Sequence, residues 1–133
     1  MKKLVIVVSD ELERGTSANV IGLLGISIGH HVRDIVGDDV KDSGGQVHPG
    51  MSMLGLPVLA ASTSTVDAAY RNAATRSDLD VFDVTDAAVA SRDYAAYAAQ
   101  LQDPSAGWQV LGFAVAGERR SVDSVTGQLK LLR

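Results

Sequence analysis

The chain has no cysteine. That excludes a disulfide framework, a thiolate metal site and a cysteine nucleophile, and it permits a reducing compartment. Long apolar runs are missing too. No stretch approaches the roughly 20 apolar residues that cross a bilayer. Leu4 to Val8, after Met1-Lys2-Lys3, is too short for the core of a secretory signal, and no cleavage pattern follows it. The cytoplasm is therefore the expected location, with no membrane partner. A basic excess is also absent, the formal net charge being -4 at pH 7. This argues against nucleic acid as a partner. Lys2, Lys3, Arg119, Arg120, Lys130 and Arg133, near the two ends, read as solvated charges.

Strong local motifs are missing as well. There is no G-x-x-x-x-G-K-[ST] phosphate loop and no G-x-G-x-x-G between a strand and a helix. No G-x-S-x-G elbow presents a nucleophilic serine. His30 and His31 are adjacent, so on a helix they point about 100° apart. A two-histidine zinc pair needs a spacing of four. Neither a metal nor a cofactor is expected.

What remains is a chain of 133 residues, the length of one domain spanning 1–133. Hydrophobic residues make up 46 % and charged ones 21 %, the balance of a globular protein. Apolar runs alternate with helical patterns, which predicts an α/β class with a largely parallel sheet. Leu4 to Val8 reads as a strand buried on both faces. Thr16 and Ser17 offer cap oxygens for a helix running to His31. Ala18, Gly22, Gly25 and Gly29 share one face of that helix, which suggests close packing on the sheet. Residues 37 to 56 are glycine-rich and predict a long loop with little regular structure. Leu56 to Ala60, Leu79 to Val84 and Trp108 to Val115 read as strands. Ser62 to Thr65 and Ser91 read as caps of further helices, with Asp67 in a first turn. Ser121 to Val125 reads as a short helix and Leu129 to Leu132 as a last strand.

Three polar places stand out. Ser9-Asp10-Glu11 with Gly15-Thr16 leaves a strand and enters a helix, where α/β sheets bind ligands. Asp42 to Gly50 combines an acid, glycines and His48, which suits proton exchange near neutral pH. Asp86 follows a predicted strand.

Several segments then resemble a known family. Val110-Leu111-Gly112-Phe113 and Val122 to Leu131 resemble the TVLGIGP and I-D-x-V-T-G-H-L-K-L ending of type-two peptidyl-tRNA hydrolases. Lys3 to Val8 followed by Gly15 to Asn19 resembles their opening. The whole chain looks closer to a relative called domain of unknown function 2000, through Ala18-Asn19, His48-Pro49-Gly50, Asp93-Tyr94-Ala95 and Val122 to Arg133. The resemblance implies a three-layer α/β/α sandwich around a small mixed, mostly parallel sheet. Of the hydrolase's working residues, the lysine falls on Thr16, the glutamine on Val20, the histidine on Leu23 and the threonine on Gln109. Only its aspartate is matched, by Asp86. A short neutral hydroxyl cannot do the work of a lysine toward phosphate.

The expected function is therefore binding or processing of a small molecule. Asp86 and His48 would be the catalytic pair, with Asn19, Thr16, Asp42 and Glu11 binding the substrate. A homodimeric interaction module, drawing on the small-residue stripe and the last strand, and a retained peptidyl-tRNA hydrolase are the alternatives.

Overall fold

The computed structural model describes residues 2–133. A strand β1 (Lys2–Ser9) is followed by helix α1 (Arg14–His31) and two short strands, β2 (Val40–Lys41) and β3 (Val47–His48). Then come β4 (Val58–Ala61), α2 (Thr63–Ala74), β5 (Leu79–Thr85), α3 (Asp86–Ala90) and α4 (Tyr94–Gln102). The chain closes with β6 (Val110–Glu118), α5 (Arg119–Thr126) and β7 (Lys130–Leu131). The main sheet has five strands in the order β5-β6-β1-β4-β7.

The sheet is mixed, and the expectation of a mostly parallel one is corrected. Only β1 and β4 pair in parallel; β1–β6, β5–β6 and β4–β7 are antiparallel. The reason lies between β5 and β6. A parallel neighbour needs a crossover that carries the chain from one end of the sheet to the other. Here two short helices turn back on each other, and Val110 starts β6 opposite Thr85, where β5 ended.

β1 and β6 are the central strands, and their apolar runs are buried on both faces. Leu4, Ile6 and Val8 meet Val20, Leu24 and Ile28 of α1 on one face. Val5 and Val7 meet Val66 and Ala73 of α2 and Val122 and Val125 of α5 on the other. The register between β5 and β6 shifts at Val84/Thr85, leaving Leu111 as the extra residue. This bulge lets Leu111 join the α1 face while Val110 and Phe113 both join the α2 face.

The close approach of α1 to the sheet falls at Gly112. A Cβ there would lie 2.6 Å from Val20 Cγ1 and 3.2 Å from the Val7 carbonyl oxygen. The glycine stripe on α1 does not pack on the sheet as expected. Gly22, Gly25 and Gly29 face outward, with nothing within 4 Å of an added Cβ.

The helix starts differ from the sequence reading in three places. α1 begins at Arg14 with Glu13 as N-cap, so Thr16 and Ser17 lie inside the first turn. Ser91 ends α3, and Asp93 caps α4 by accepting a bond from the Ala96 amide at 2.9 Å. Ser62 does cap α2, but Asp67 lies beyond its first turn. Its carboxylate accepts bonds from the buried Val110 amide at 2.9 Å and from Arg71 Nε at 2.8 Å. Burial pushes the Asp67 pKa up, but these bonds and the Arg71 charge outweigh it and hold the group below the ordinary value.

Residues 37 to 56 are more ordered than expected. β2 and β3 pair as an antiparallel hairpin, and Val36 bridges Ser52 at its stem. The two strands form an arm standing off the main sheet.

Candidate functional site

β1, β4 and β5 point the same way, so their carboxyl ends share one end of the sheet. β1 and β4 are adjacent there. β1 leads into α1 on one face, and β4 leads into α2 on the other. Parallel neighbours whose helices depart to opposite faces leave a crevice between their loops, the usual ligand position in α/β sheets.

Hydrogen bonds tie the two loops together. Buried Ser9 places its Oγ 2.6 Å from Thr63 Oγ1, and the Glu11 amide donates to Ser9 Oγ at 3.1 Å. The Asp10 amide donates to the Ala61 carbonyl at 2.9 Å. Glu11 Oε1 accepts from the Thr63 amide at 2.6 Å. Bonds from the Thr63 backbone and side chain hold the Glu11 carboxyl below its ordinary pKa. The loop is thereby fixed against the start of α2, which also gains a negative charge at its positive end. At the start of α1 the Glu13 side chain makes no cap bond.

Two cavities flank Asp10 and Arg133. One, of about 520 Å³, is bounded by Ser9, Leu12, Arg14, Ser17 and Ile21. The other, of about 470 Å³, runs along β4 and β7 past Lys130. Arg14, Lys130 and Arg133 thus supply three cations around a crevice with apolar walls at Leu12, Ile21 and Leu132. Sequence reading missed Arg14 and took Lys130 and Arg133 for solvated ends. Only the pairing of β7 with β4 brings that end of the chain beside the loop after β1.

The expected site residues do not converge. Glu11 and Thr16 lie at the carboxyl end of β1. Asp86 begins α3 at the same end of the sheet. β6 intervenes between β5 and β1, a separation of roughly 10 Å. Asp86 Oδ1 accepts from the Gln109 amide at 3.0 Å, and the Asp86 amide donates back to the Gln109 carbonyl at 2.9 Å. This reciprocal pair fixes the start of β6. Asn19 is exposed on α1 and lines neither cavity of the crevice.

His48 and Asp42 sit on the arm. Its stem adjoins Met53 to Gly55, which lie against Lys2 to Leu4 at the amino end of β1. His48 is therefore rooted at the opposite end of the sheet from Asp86. His48 Nε2 lies 2.8 Å from Asp42 Oδ2, while Asp42 Oδ1 accepts from the amides of Gly44 and Gln46 at 2.9 and 3.0 Å. The His48 bond is the main cause holding the Asp42 carboxyl below its ordinary pKa. Both side chains are largely exposed. The pair braces the hairpin turn, where Gly45 takes a positive φ of 92°.

Among the described residues, no group of three or more His, Asp or Glu could hold a metal ion. No helix among them is long and apolar enough to cross a membrane.

Comparison with curated proteins gives no match. Among solved structures, one similar to this chain is a protein of unknown function from Agrobacterium tumefaciens strain C58. It is 22 % identical, with a TM-score of 0.87 over 99 % of this chain and 98 % of that one. At that identity the likeness speaks for the fold. A family model described as protein of unknown function matches residues 2–133, so the chain belongs to the domain of unknown function 2000 family.

Proposed function

We propose that this protein binds a small anionic molecule, a phosphate ester or a carboxylate with an apolar body, in the crevice outside the carboxyl ends of β1 and β4. The observation that carries the reading is the gathering of Arg14, Lys130 and Arg133 around that crevice. The start of α1, without a side-chain cap, adds amides and the positive end of a helix dipole. Glu11 and Thr63 hold the loop. Kinship with the fold of type-two peptidyl-tRNA hydrolases belongs to the same proposal, without their chemistry. Thr16 stands where their lysine would, and Asp86 is engaged by the Gln109 amide. In this reading Glu11 serves the loop through Thr63, and neither it nor Thr16, in the first turn of α1, lines the two cavities. His48, Asp42 and Asn19 take no part, and Asp86 serves the fold.

Thermal unfolding in the presence of a nucleoside monophosphate, an amino acid and a neutral sugar tests this. A ligand at about 100 times its Kd adds roughly 2.7 kcal/mol. The phosphate ester or the amino acid is expected to raise Tm and the sugar is not. Arg14→Ala is expected to abolish the rise and His48→Ala to keep it. A rise lost in His48→Ala but kept in Arg14→Ala would move the site to the arm and defeat the proposal.

A second reading, a homodimer, is favoured by one observation. The arm exposes Val36, Val40, Val47, Met51 and Met53, with Met51 78 % exposed. Such a run of apolar groups on one projection suits a partner surface. The expectation is a dimer in sedimentation equilibrium that Met51→Asp with Val40→Asp converts to monomer. A wild-type monomer at tens of micromolar ends this reading.

A further inference from the structure

Among its cations the crevice holds one charge of the opposite sign. Asp10 lines both cavities, with Arg133 in each and with Arg14 in the larger. The strand pattern tells which face its side chain takes. Ser9 turns toward α2, where its Oγ meets Thr63 Oγ1. The Asp10 amide carries the pairing with β4 one step further, to the Ala61 carbonyl. Successive side chains alternate, so Asp10 takes the α1 face. The larger cavity, about 520 Å³, opens on that face, bounded by Ser17 and Ile21 of α1. Lys130 shares the face. It pairs with Ala60, which pairs with Val8, and Val8 packs against α1. α1 itself rests on β1, β5 and β6. Half-buried Ala60, with a single methyl group, leaves a trough between β1 and Lys130.

These charges do not meet. Among the described residues, the Asp10 carboxylate accepts no hydrogen bond, and Asp10, Arg14 and Lys130 take part in no ion pair. Elsewhere opposite charges close up, Arg71 on Asp67 and Arg76 on Asp78, each at 2.8 Å. Opposite charges that line one cavity and stay apart leave a gap between them. A plain anion in that gap gains from Arg14 and is repelled by Asp10. A ligand with an ammonium beside its anionic group gains from both, and Asp10 then acts against the plain anion.

We infer that the ligand of this crevice is an α-amino acid with an apolar side chain, an inference that rests on the anion reading above. Its carboxylate faces Arg14 and Arg133, and its ammonium faces Asp10. Its side chain lies against Leu12, Ile21 and Leu132. The two charges of an α-amino acid flank one carbon, so a single small molecule meets both sides of the gap.

Leucine is the probe, titrated into the whole chain by calorimetry. Isocaproate keeps the same body without the amino group, and leucinamide lacks the carboxylate. Each is expected to bind at least tenfold more weakly than leucine, the usual scale for losing a bond between charged groups. Glycine, without the apolar body, is expected to be at least fivefold weaker. Asp10→Asn is expected to weaken leucine at least tenfold and isocaproate not at all, because asparagine keeps the shape and removes the repulsion. The Asp10 carboxylate bonds nothing in the fold, so Tm of the free variant is expected to stay unchanged. Arg14→Ala is expected to abolish binding of leucine and isocaproate alike. Isocaproate or glycine as tight as leucine, or leucine undiminished by Asp10→Asn, overturns the inference and leaves the anion reading standing. Binding of a nucleoside monophosphate without binding of leucine does the same. Leucinamide as tight as leucine defeats the anion reading itself, as does the failure of leucine, isocaproate and the nucleotide alike, and the inference falls with it.

Discussion

Phe113→Ala is expected to cost about 3 to 5 kcal/mol, the usual range for removing a buried aromatic side chain. Phe113 is 0 % exposed and is the largest fully buried side chain of the domain. It sits mid-strand in β6, among Val5, Val7, Val66, Val115 and Val122, and its ring meets Tyr70 edge to face at 6.1 Å. β1, α2 and α5 all contribute to the cluster it belongs to. A cavity there cannot be closed by shifting a single element, so relaxation recovers little. Native domains carry only about 5 to 15 kcal/mol in total, so a third or more of the stability is at stake. Urea unfolding checks it through a lower midpoint with an unchanged slope. Phe113→Leu, which keeps most of the volume, is expected to cost less than half as much. A loss below about 1 kcal/mol for the alanine variant would mean that the α2 face is not a packed core.

The same strand shows what the sequence could reveal and what it could not. Val110 to Val115 reads as a buried strand because an apolar run between turn signals has no other common use. Its division between two faces was hidden, because the bulge at Leu111 depends on how β5 pairs with β6, a contact far away in sequence. Strand direction was hidden for a similar reason. Alternating apolar and helical segments suggest crossovers, yet the excursion through α3 and α4 returns to the end it left. The arm was hidden because β2 and β3 hold two residues each, too short for any period.

The crevice was legible where a general rule of topology applies. A loop leaving a buried strand and entering a helix, Ser9 to Thr16, was expected to matter, and it lies at the crevice. Choosing residues by side-chain chemistry alone did worse. His48 looked like a proton-exchanging partner of Asp86, with Asp42 binding the substrate, but His48 and Asp42 also make a stable turn with each other, and position on the sheet decides between these roles. Asp83 on β5 is half-buried. Its partial burial comes from what packs around that strand, which no local pattern records.

Gly112→Ala carries the second large effect. The added methyl would press on Val20 Cγ1 at 2.6 Å and on the Val7 carbonyl oxygen at 3.2 Å. Neither neighbour can give way cheaply. Val20 is β-branched and stiff on a helix, and the Val7 carbonyl belongs to a central strand. Overpacking of this kind costs about 1 to 3 kcal/mol, which for a domain of this size lowers Tm by roughly 3 to 6 °C per kcal/mol. A double-mutant cycle with Val20→Ala identifies the cause. If α1 rests on Gly112 through Val20, removing the Val20 methyl groups makes room, and Gly112→Ala should cost much less in that background. Strictly additive penalties would mean that Val20 is not the obstacle. The consequence reaches the crevice, because Arg14 sits on α1 six residues before Val20. A helix lifted from the sheet carries Arg14 with it. Gly112→Ala is therefore expected to weaken the anion-induced Tm rise, and the Val20→Ala background to restore part of it.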